Sequence, residues 1–239
     1  MTLLIFDCDG VLVDSEIIAL DALAKLLTAL GRPSDLADCR GLFMGKSVKD
    51  VVAEIETMLG RPLPAEWGAQ ANAELLARLR RELRPVEGVA AAIARLPYPR
   101  CVASSSQPDR IHLSLAVTGL APLFGERVFS ATEVRNGKPA PDLFLYAARQ
   151  CGYAPAQCIV IEDSPAGVSA ARCAGMAAIG FAGASHADSV LAQALAAAGA
   201  DIVLTKMADL PAAVESLRVG DDALPMTQRA GAAPQGRAS

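Results

Sequence analysis

Short apolar runs alternate with helical patterns along most of the chain, and this alternation constrains the fold more than any other feature. Apolar runs of strand length occur at residues 3–6, 100–103, 158–161, 177–181 and 201–204, with a further short run at 128–130. Helical patterns lie between them at residues 88–95, 108–118, 141–151, 165–174 and 187–198, and a glycine closes each of the last four. Strands that alternate with helices predict an α/β fold with a Rossmann-like, doubly wound parallel sheet.

Residues 15–86 break this alternation, because they contain no convincing strand and three helical patterns. The apolar positions of the three patterns are Leu20, Leu23, Leu27 and Leu30; Val51, Val52, Ile55, Met58 and Leu59; and Trp67, Ala71, Leu75 and Leu79. We therefore expect a small α-helical cap domain, residues 15–86, inserted into an α/β core of residues 1–14 and 87–217. Residues 218–239 lack an apolar period and are expected to form a disordered tail.

Charge and cysteine content exclude several classes of protein. The 22 basic and 26 acidic residues give a net charge of −4 without a basic block, which disfavours nucleic acid and anionic membranes as partners. The six cysteines lie far apart with no CxxC pair, so we expect small buried hydrophobes rather than a zinc site or disulfides. The start of the chain lacks the basic region of a secretory signal, which favours a cytoplasmic location.

Polar side chains follow the apolar runs at the points where the predicted strands end. Asp7 and Asp9 follow the first run, and Glu162 and Asp163 follow the run at 158–161. Lys138 lies in a loop that leads into a helix, and the run at 100–103 is followed by three consecutive hydroxyls, Ser104, Ser105 and Ser106. Because ligands bind beyond the carboxyl ends of the strands in such sheets, we expect these residues to converge on one crevice.

This set of side chains suits phosphoryl transfer. Carboxylates alone would repel a phosphate, so a hard cation held through oxygens, typically Mg²⁺, is needed. Asp7, Asp9 and Asp163 would supply those oxygens, with Glu162 a direct or outer-shell ligand. One carboxylate can then attack phosphorus, and a second one two residues further along can exchange protons with the leaving group and with water. Ser104 and Lys138 would hold the phosphate oxygens.

Each of these signals has a simpler explanation when it is taken alone. Ser104–Ser106 can cap a helix, Lys138 can be a solvated loop lysine, and the Glu162–Asp163 pair can favour a helix N-terminus. The segment that begins at Asp7 also fails the calcium-loop pattern, because Val11 and Ile18 occupy positions that need oxygen ligands. The order of the motifs, each placed after or between predicted strands, favours the catalytic interpretation.

The same motifs, in the same order, resemble those of the haloacid dehalogenase superfamily. The likeness is carried by residues 6–16 (FDCDGVLVDSE), 102–106 (VASSS), 137–142 (GKPAPD) and 160–167 (VIEDSPAG), and is greatest to the β-phosphoglucomutase and sugar-phosphate phosphatase branch. The resemblance implies that Asp7 is the nucleophile and Asp9 the acid/base and a backbone-carbonyl Mg²⁺ ligand. It also implies that Ser104 and Lys138 bind phosphate, and that Asp163 with Glu162 completes the metal site.

Departures from the family pattern bear on the reaction and the substrate. Asp9 argues for phosphate esters, since a dehalogenase needs no acid at that position. A histidine and a cap arginine that mutases usually carry are replaced by Ala19 and, approximately, Val48, while residues 14–16 (DSE) resemble those of bacterial 6-phosphogluconate and sugar-phosphate phosphatases. Further substrate-binding candidates are Ser105, Ser106, Gln107, Glu16 and the cap residue Lys46. For Lys46 the alternative is equally favoured, in which Ser47 caps the following helix and the lysine is only solvated.

The sequence thus predicts a Mg²⁺-dependent phosphatase that acts on a small phosphorylated sugar or sugar acid through an aspartyl-phosphate. We expect a small-molecule phosphate ester as the partner and a monomer or weak homodimer as the assembly. A phosphosugar mutase is the alternative within the same class of chemistry. A non-catalytic phosphometabolite-binding protein is the alternative outside it, although such a protein would not need paired carboxylates.

Overall fold

The centre of the structure is a six-stranded parallel sheet. The structure is a computed structural model and describes residues 1–44 and 48–222. The strands are β1 (Leu3–Phe6), β2 (Arg100–Ser104), β3 (Val128–Ser130), β4 (Cys158–Glu162), β5 (Ala177–Phe181) and β6 (Ile202–Leu204), in the order β3-β2-β1-β4-β5-β6. This is the strand order of a doubly wound sheet, so the predicted fold class is confirmed.

Helices cover both faces of the sheet. They are α5 (Val89–Ala94), α6 (Pro108–Val117), α7 (Asp142–Cys151), α8 (Pro165–Cys173), α9 (Ser189–Ala197) and α10 (Leu210–Asp222). Alternate residues of β1 enter two different apolar clusters: Leu4 and Phe6 pack on one face, and Leu3 and Ile5 pack on the other. All four side chains are fully buried, as expected for a strand at the centre of a parallel sheet.

Four helices lie between β1 and α5 in the described part of the chain, one more than the sequence predicts for this segment. They are α1 (Glu16–Ala29), α2 (Leu36–Phe43), α3 (Val48–Leu59) and α4 (Trp67–Glu82). They share an apolar cluster of their own, centred on Leu27, Cys39, Phe43 and Ile55. The unpredicted helix α2 begins at a capping box, in which the side chain of Asp35 accepts from the Asp38 amide and Asp38 accepts in return.

The two connections between the helical segment and the sheet run side by side. The Asp14 amide donates to the Arg84 carbonyl at 3.0 Å, and the Val86 amide donates to the Leu12 carbonyl at 3.0 Å. Leu79 in the last turn of α4 and Leu83 directly after it are also buried in a cluster of the α/β core. Cap and core are therefore continuous at this end, and the domain boundaries at residues 15 and 86 stay a prediction.

Two expectations about the remaining residues need correction. Helix α10 runs to Asp222, and Arg218 donates to Thr2 Oγ1 and to the Tyr98 hydroxyl, so the tail does not begin at residue 218. Residues 223–239 lie outside the described residues. Four cysteines are buried as predicted, but Cys151 is half-buried and Cys173 is exposed. No helix within the described ranges is long and apolar enough to span a bilayer.

Candidate active site

The ends of β1, β2 and β4 bring the predicted motifs to one edge of the sheet. Phe6 is in register with Val102 on one side and with Ile161 on the other, so the residues that follow emerge together. The Asp7 amide extends this pairing by donating to the Ile161 carbonyl at 2.9 Å. Because all three strands run in the same direction, Asp7, Ser104 and Glu162 share the edge at which ligands bind.

Lys138 is buried between two of the predicted carboxylates. Its ammonium donates to Asp7 Oδ1 at 2.6 Å, to the Ala103 carbonyl at 3.3 Å and to Glu162 Oε1, and it lies 4.9 Å from the centre of the Phe144 ring. Burial lowers the pKa of this lysine, but the charges of Asp7 and Glu162 outweigh burial and hold it above its ordinary value. Lys138 is therefore a permanent cation at the base of the site.

Asp7 lies in a strongly acidic and buried environment. Its side chain is 9% exposed. Burial raises the pKa of Asp7 well above its ordinary value, and the nearby charges of Glu162 and Asp163 raise it further, with Lys138 as the opposing influence. An additional cation at this position would stabilise the ionised form, which is the form needed for a nucleophile.

Asp9 is held by a different set of partners. The hydroxyls of Ser15 and Ser106 and the guanidinium of Arg110 donate to its carboxylate, the last two at 2.6 and 2.7 Å. Burial raises the pKa of Asp9, but Arg110 and the two hydroxyls lower it below its ordinary value. Arg110, which the sequence interpretation missed, thus keeps the second aspartate ionised and separate from the Lys138 cluster.

Asp163 lies against Gly10 and against a histidine that the sequence interpretation also missed. His186 Nε2 is 3.4 Å from Asp163 Oδ2, and a Cβ on Gly10 would lie 1.7 Å from the same oxygen. Burial raises the pKa of Asp163 to about 6, the charge of Glu162 adds to this, and the hydrogen bond from His186 opposes it. Asp163 is thus a confined carboxylate that lacks a full counter-charge.

Comparison with known proteins finds a family model and named relatives that match the chain. Residues 1–175 match the family model of the haloacid dehalogenase-like hydrolases. The chain belongs to this hydrolase family. It is 28% identical to the 6-phosphogluconate phosphatase of Escherichia coli (76% of this chain, 82% of the relative) and 35% identical to a probable pseudouridine-5'-phosphatase of Drosophila melanogaster (72% and 78%).

Among solved structures, this hydrolase is similar to a conserved haloacid dehalogenase-like protein of unknown function from Agrobacterium tumefaciens. The two share 40% identity with a TM-score of 0.80, over 91% of this chain and 99% of that one. The predicted superfamily and α/β architecture are therefore confirmed. The roles of the individual site residues stay predictions.

Glu162 has partners on both carboxylate oxygens. Oε1 accepts from Lys138, and Oε2 accepts from the amide and the hydroxyl of Ser164 at 2.8 and 2.9 Å. The start of α8 approaches it so closely that a Cβ on Gly167 would lie 1.9 Å from Oε1. In the structure Glu162 orients Lys138 and the N-terminus of α8, and its contribution to a metal site stays a prediction.

The remaining predicted residues occupy different parts of the hydrolase site. Ser104 is buried, and its hydroxyl accepts from the Ser106 amide at 3.2 Å. Ser105 and Gln107, in the loop after β2, are exposed. Glu16 is half-buried at the start of α1, where its charge raises the pKa of both Asp163 and His186. Lys46 lies outside the described residues.

The oxygen donors of this edge fit a small hard cation. Four acidic side chains, Asp7, Asp9, Glu162 and Asp163, face two permanent cations, Lys138 and Arg110. Among the described residues, no three His, Cys, Asp or Glu side chains are arranged to enclose a metal ion. Mg²⁺ characteristically binds through one or two carboxylates and completes its coordination with water and substrate phosphate, so this donor set fits Mg²⁺ better than a metal held by protein alone.

Proposed function

We propose that this hydrolase is a Mg²⁺-dependent phosphatase of small phosphorylated sugars or sugar acids that acts through an aspartyl-phosphate on Asp7. The observation that carries the proposal is the separation of the two aspartates. Asp7 contacts Lys138, whereas Asp9, two residues later, is held by Arg110 and two hydroxyls. Two carboxylates with different environments can take different roles in one reaction. The phosphatases among the relatives support this choice.

The acidic edge needs a cation before it can accept a phosphate. Asp7, Asp163 and the backbone carbonyl of Asp9 would hold Mg²⁺, which would neutralise charge on the phosphate and on the nucleophile. Lys138 keeps the Asp7 carboxylate in one orientation through Oδ1 and adds a positive charge beside the phosphate. Glu162 in turn fixes Lys138, so the ammonium has little freedom to move away.

In the first half-reaction, an oxygen of Asp7 attacks phosphorus, and the bond from phosphorus to the leaving alkoxide breaks. Asp9 transfers a proton to that alkoxide. The structure holds Asp9 as a carboxylate, so it must first leave its contacts with Ser106 and Arg110 and take up a proton from solvent. In the second half-reaction, the Asp9 carboxylate accepts a proton from water as the water attacks the phosphorus of the aspartyl-phosphate. Inorganic phosphate leaves, and Asp7 is regenerated as a carboxylate.

A panel of phosphate esters tests the activity. Phosphate release is measured with 6-phosphogluconate, hexose phosphates and nucleoside 5'-phosphates, in Mg²⁺ and in EDTA. We expect Mg²⁺-dependent release with a preference for sugar or sugar-acid phosphates, and loss of turnover in Asp7→Asn with the fold retained. Conversion of β-glucose 1-phosphate to the 6-phosphate without release would instead identify a mutase. Release that is equal in EDTA would contradict the metal requirement.

The role of Asp9 predicts a dependence on the leaving group. Asp9→Asn removes the proton donor but keeps the size of the side chain. Turnover of an alkyl phosphate should fall about 10²- to 10⁴-fold, while attack on an aryl phosphate, whose leaving group needs little protonation, should fall much less. The measurement is the single-turnover rate of leaving-group release for both esters. Equal losses would show that Asp9 acts in some other way.

A further inference from the structure

The loop between β5 and α9, residues 182–188, contacts the proposed metal ligand Asp163. His186 in this loop is 7% exposed, and its Nε2 lies 3.4 Å from Asp163 Oδ2. The space left by the missing side chain of Gly10 is filled by the same two residues, since a Cβ there would lie 1.7 Å from Asp163 Oδ2 and 3.1 Å from His186 Cε1. Asp163 is therefore held between a glycine and an imidazole.

The same loop is attached to the helical cap. Arg40, in the last turn of α2, donates from Nη2 to the backbone carbonyl of His186 at 2.9 Å, although the two residues are 146 positions apart in the chain. The neighbouring residue, Ser185, donates from its hydroxyl to Asp14 Oδ1 at 2.8 Å. Asp14 belongs to the connection into the cap, where its amide pairs with the Arg84 carbonyl. The cap, through Arg40, and the connection into the cap, through Asp14, thus hold the backbone of the loop that carries His186.

Nothing in the chemistry proposed above requires a histidine, so the burial of this one needs an explanation. Within the described residues its Nδ1 is buried without a hydrogen-bond partner, which is unfavourable for a side chain that serves packing alone. Its polar contact is made through Nε2 to Asp163. Outer residues that hydrogen-bond to a ligating side chain fix the orientation of that ligand and change metal affinity.

From these contacts we infer that His186 is a positioning residue for Asp163, and that Arg40 sets the place of His186 from the cap. This inference rests on the proposed role of Asp163 as a Mg²⁺ ligand. The metal site then depends on the position of α2, because His186 contacts both parts. Its backbone carbonyl accepts from Arg40 of the cap, and its imidazole contacts the proposed ligand Asp163. Mg²⁺ should bind most tightly when the cap lies against residues 182–188.

Mg²⁺ binding to the whole protein, measured by isothermal titration calorimetry without substrate, tests the inference. His186→Leu should weaken Mg²⁺ binding about 10- to 100-fold, the range found for residues behind metal ligands, and His186→Gln, which keeps a donor, should recover part of the loss. Arg40→Met should weaken it less, and Arg32→Met, which removes a charge from the exposed connection before α2, should leave it unchanged. Unfolding in urea shows whether each variant is folded.

A double-mutant cycle separates positioning from general damage. If His186 acts through Asp163, adding His186→Leu to Asp163→Asn should produce little further loss of Mg²⁺ affinity. Full additivity would overturn the inference, as would wild-type affinity in both His186→Leu and Arg40→Met. If His186→Leu fails to fold, the Arg40→Met comparison decides. A wild-type protein that binds no Mg²⁺ would refute this inference and the metal requirement together, whereas wild-type binding unaffected by the variants would refute this inference alone.

Discussion

Gly10 occupies a position at which any side chain would collide with a carboxylate of the site. Its φ of +74° lies in the left-handed region, which glycine adopts freely, and the absent Cβ leaves room for Asp163. The backbone turn after β1 and the placement of Asp163 after β4 therefore depend on the same residue. Glycine is needed here for two reasons, the positive φ and the space for Asp163. Comparison with a glycine that has the same φ but open space around it separates the two effects.

We predict that Gly10→Ala is more harmful than Gly175→Ala, although both glycines have a φ of +74°. Gly175 has no atom within 4 Å of an added Cβ, so Gly175→Ala should cost about 1–2 kcal/mol of unfolding free energy from backbone strain alone. Gly10→Ala should cost more and should lower Mg²⁺ affinity at least about 10-fold, because Asp163 must move. Urea denaturation and Mg²⁺ calorimetry measure the two effects. Similar behaviour of the two variants would contradict this account of Gly10.

The sequence predicts the acidic residues of the site because each one lies at the end of a strand or within three residues after it. Asp7, Ser104 and Glu162 come together through strand register, which the apolar runs already indicate. Arg110 lies inside a helix, where its burial against Asp9 depends on packing between α6 and the first loop, so no local pattern marks it. His186 could have been found, because it follows β5 as the other motifs follow their strands, and it is one of two histidines in the chain.

At the scale of elements, α1 and α4 are joined by a buried arginine. Arg78 on α4 donates to Asp21 on α1 at 2.5 Å, and to Glu82 on its own helix at 2.7 Å. Its side chain is 8% exposed, although both of its partners are partly accessible to water. Arginine suits this place because its planar guanidinium reaches two carboxylates at once.

Arg78→Met should therefore destabilise the cap by about 1–3 kcal/mol, since it removes the charge-assisted hydrogen bonds from Arg78 to Asp21 and Glu82. Lys25→Met is the matched control, because Lys25 contacts the same Asp21 at 3.2 Å from an exposed position and should contribute less than about 1 kcal/mol. The measurement is urea denaturation, with hydrogen exchange locating the loss in α1 and α4. A larger effect from Lys25→Met would contradict this assignment.

Helix α2 shows why one element of the cap escapes prediction from sequence. It has eight residues, and its two buried side chains, Cys39 and Phe43, are one turn apart, which is too short a pattern to establish a helical period. The capping box between Asp35 and Asp38 marks its start but uses two aspartates rather than the usual Ser or Thr with Glu. By contrast, the longer cap helices α1, α3 and α4 and all six strands carry patterns that the sequence shows directly.

At the scale of the whole molecule, the site is assembled from both parts of the chain. The core contributes Asp7, Lys138 and Asp163, whereas Ser15 in the connection donates to Asp9, and Arg40 of the cap holds the loop that carries His186. Leu79 in the last turn of α4 and Leu83 directly after it are buried in the core as well. The cap thus contacts the surroundings of both Asp9 and Asp163, and its position bears on the acid/base and on the metal site.

The central claim is that phosphate is transferred to Asp7, and trapping the intermediate tests it most directly. Asp9→Asn should slow hydrolysis of the aspartyl-phosphate, so this variant is mixed with Mg²⁺ and an aryl phosphate, quenched, reduced with borohydride and mapped by peptide mass spectrometry. The account predicts homoserine at position 7, and none there without substrate or when Asp7→Asn is added. Leaving-group release without modification of Asp7, or reduction at another carboxylate, would contradict it.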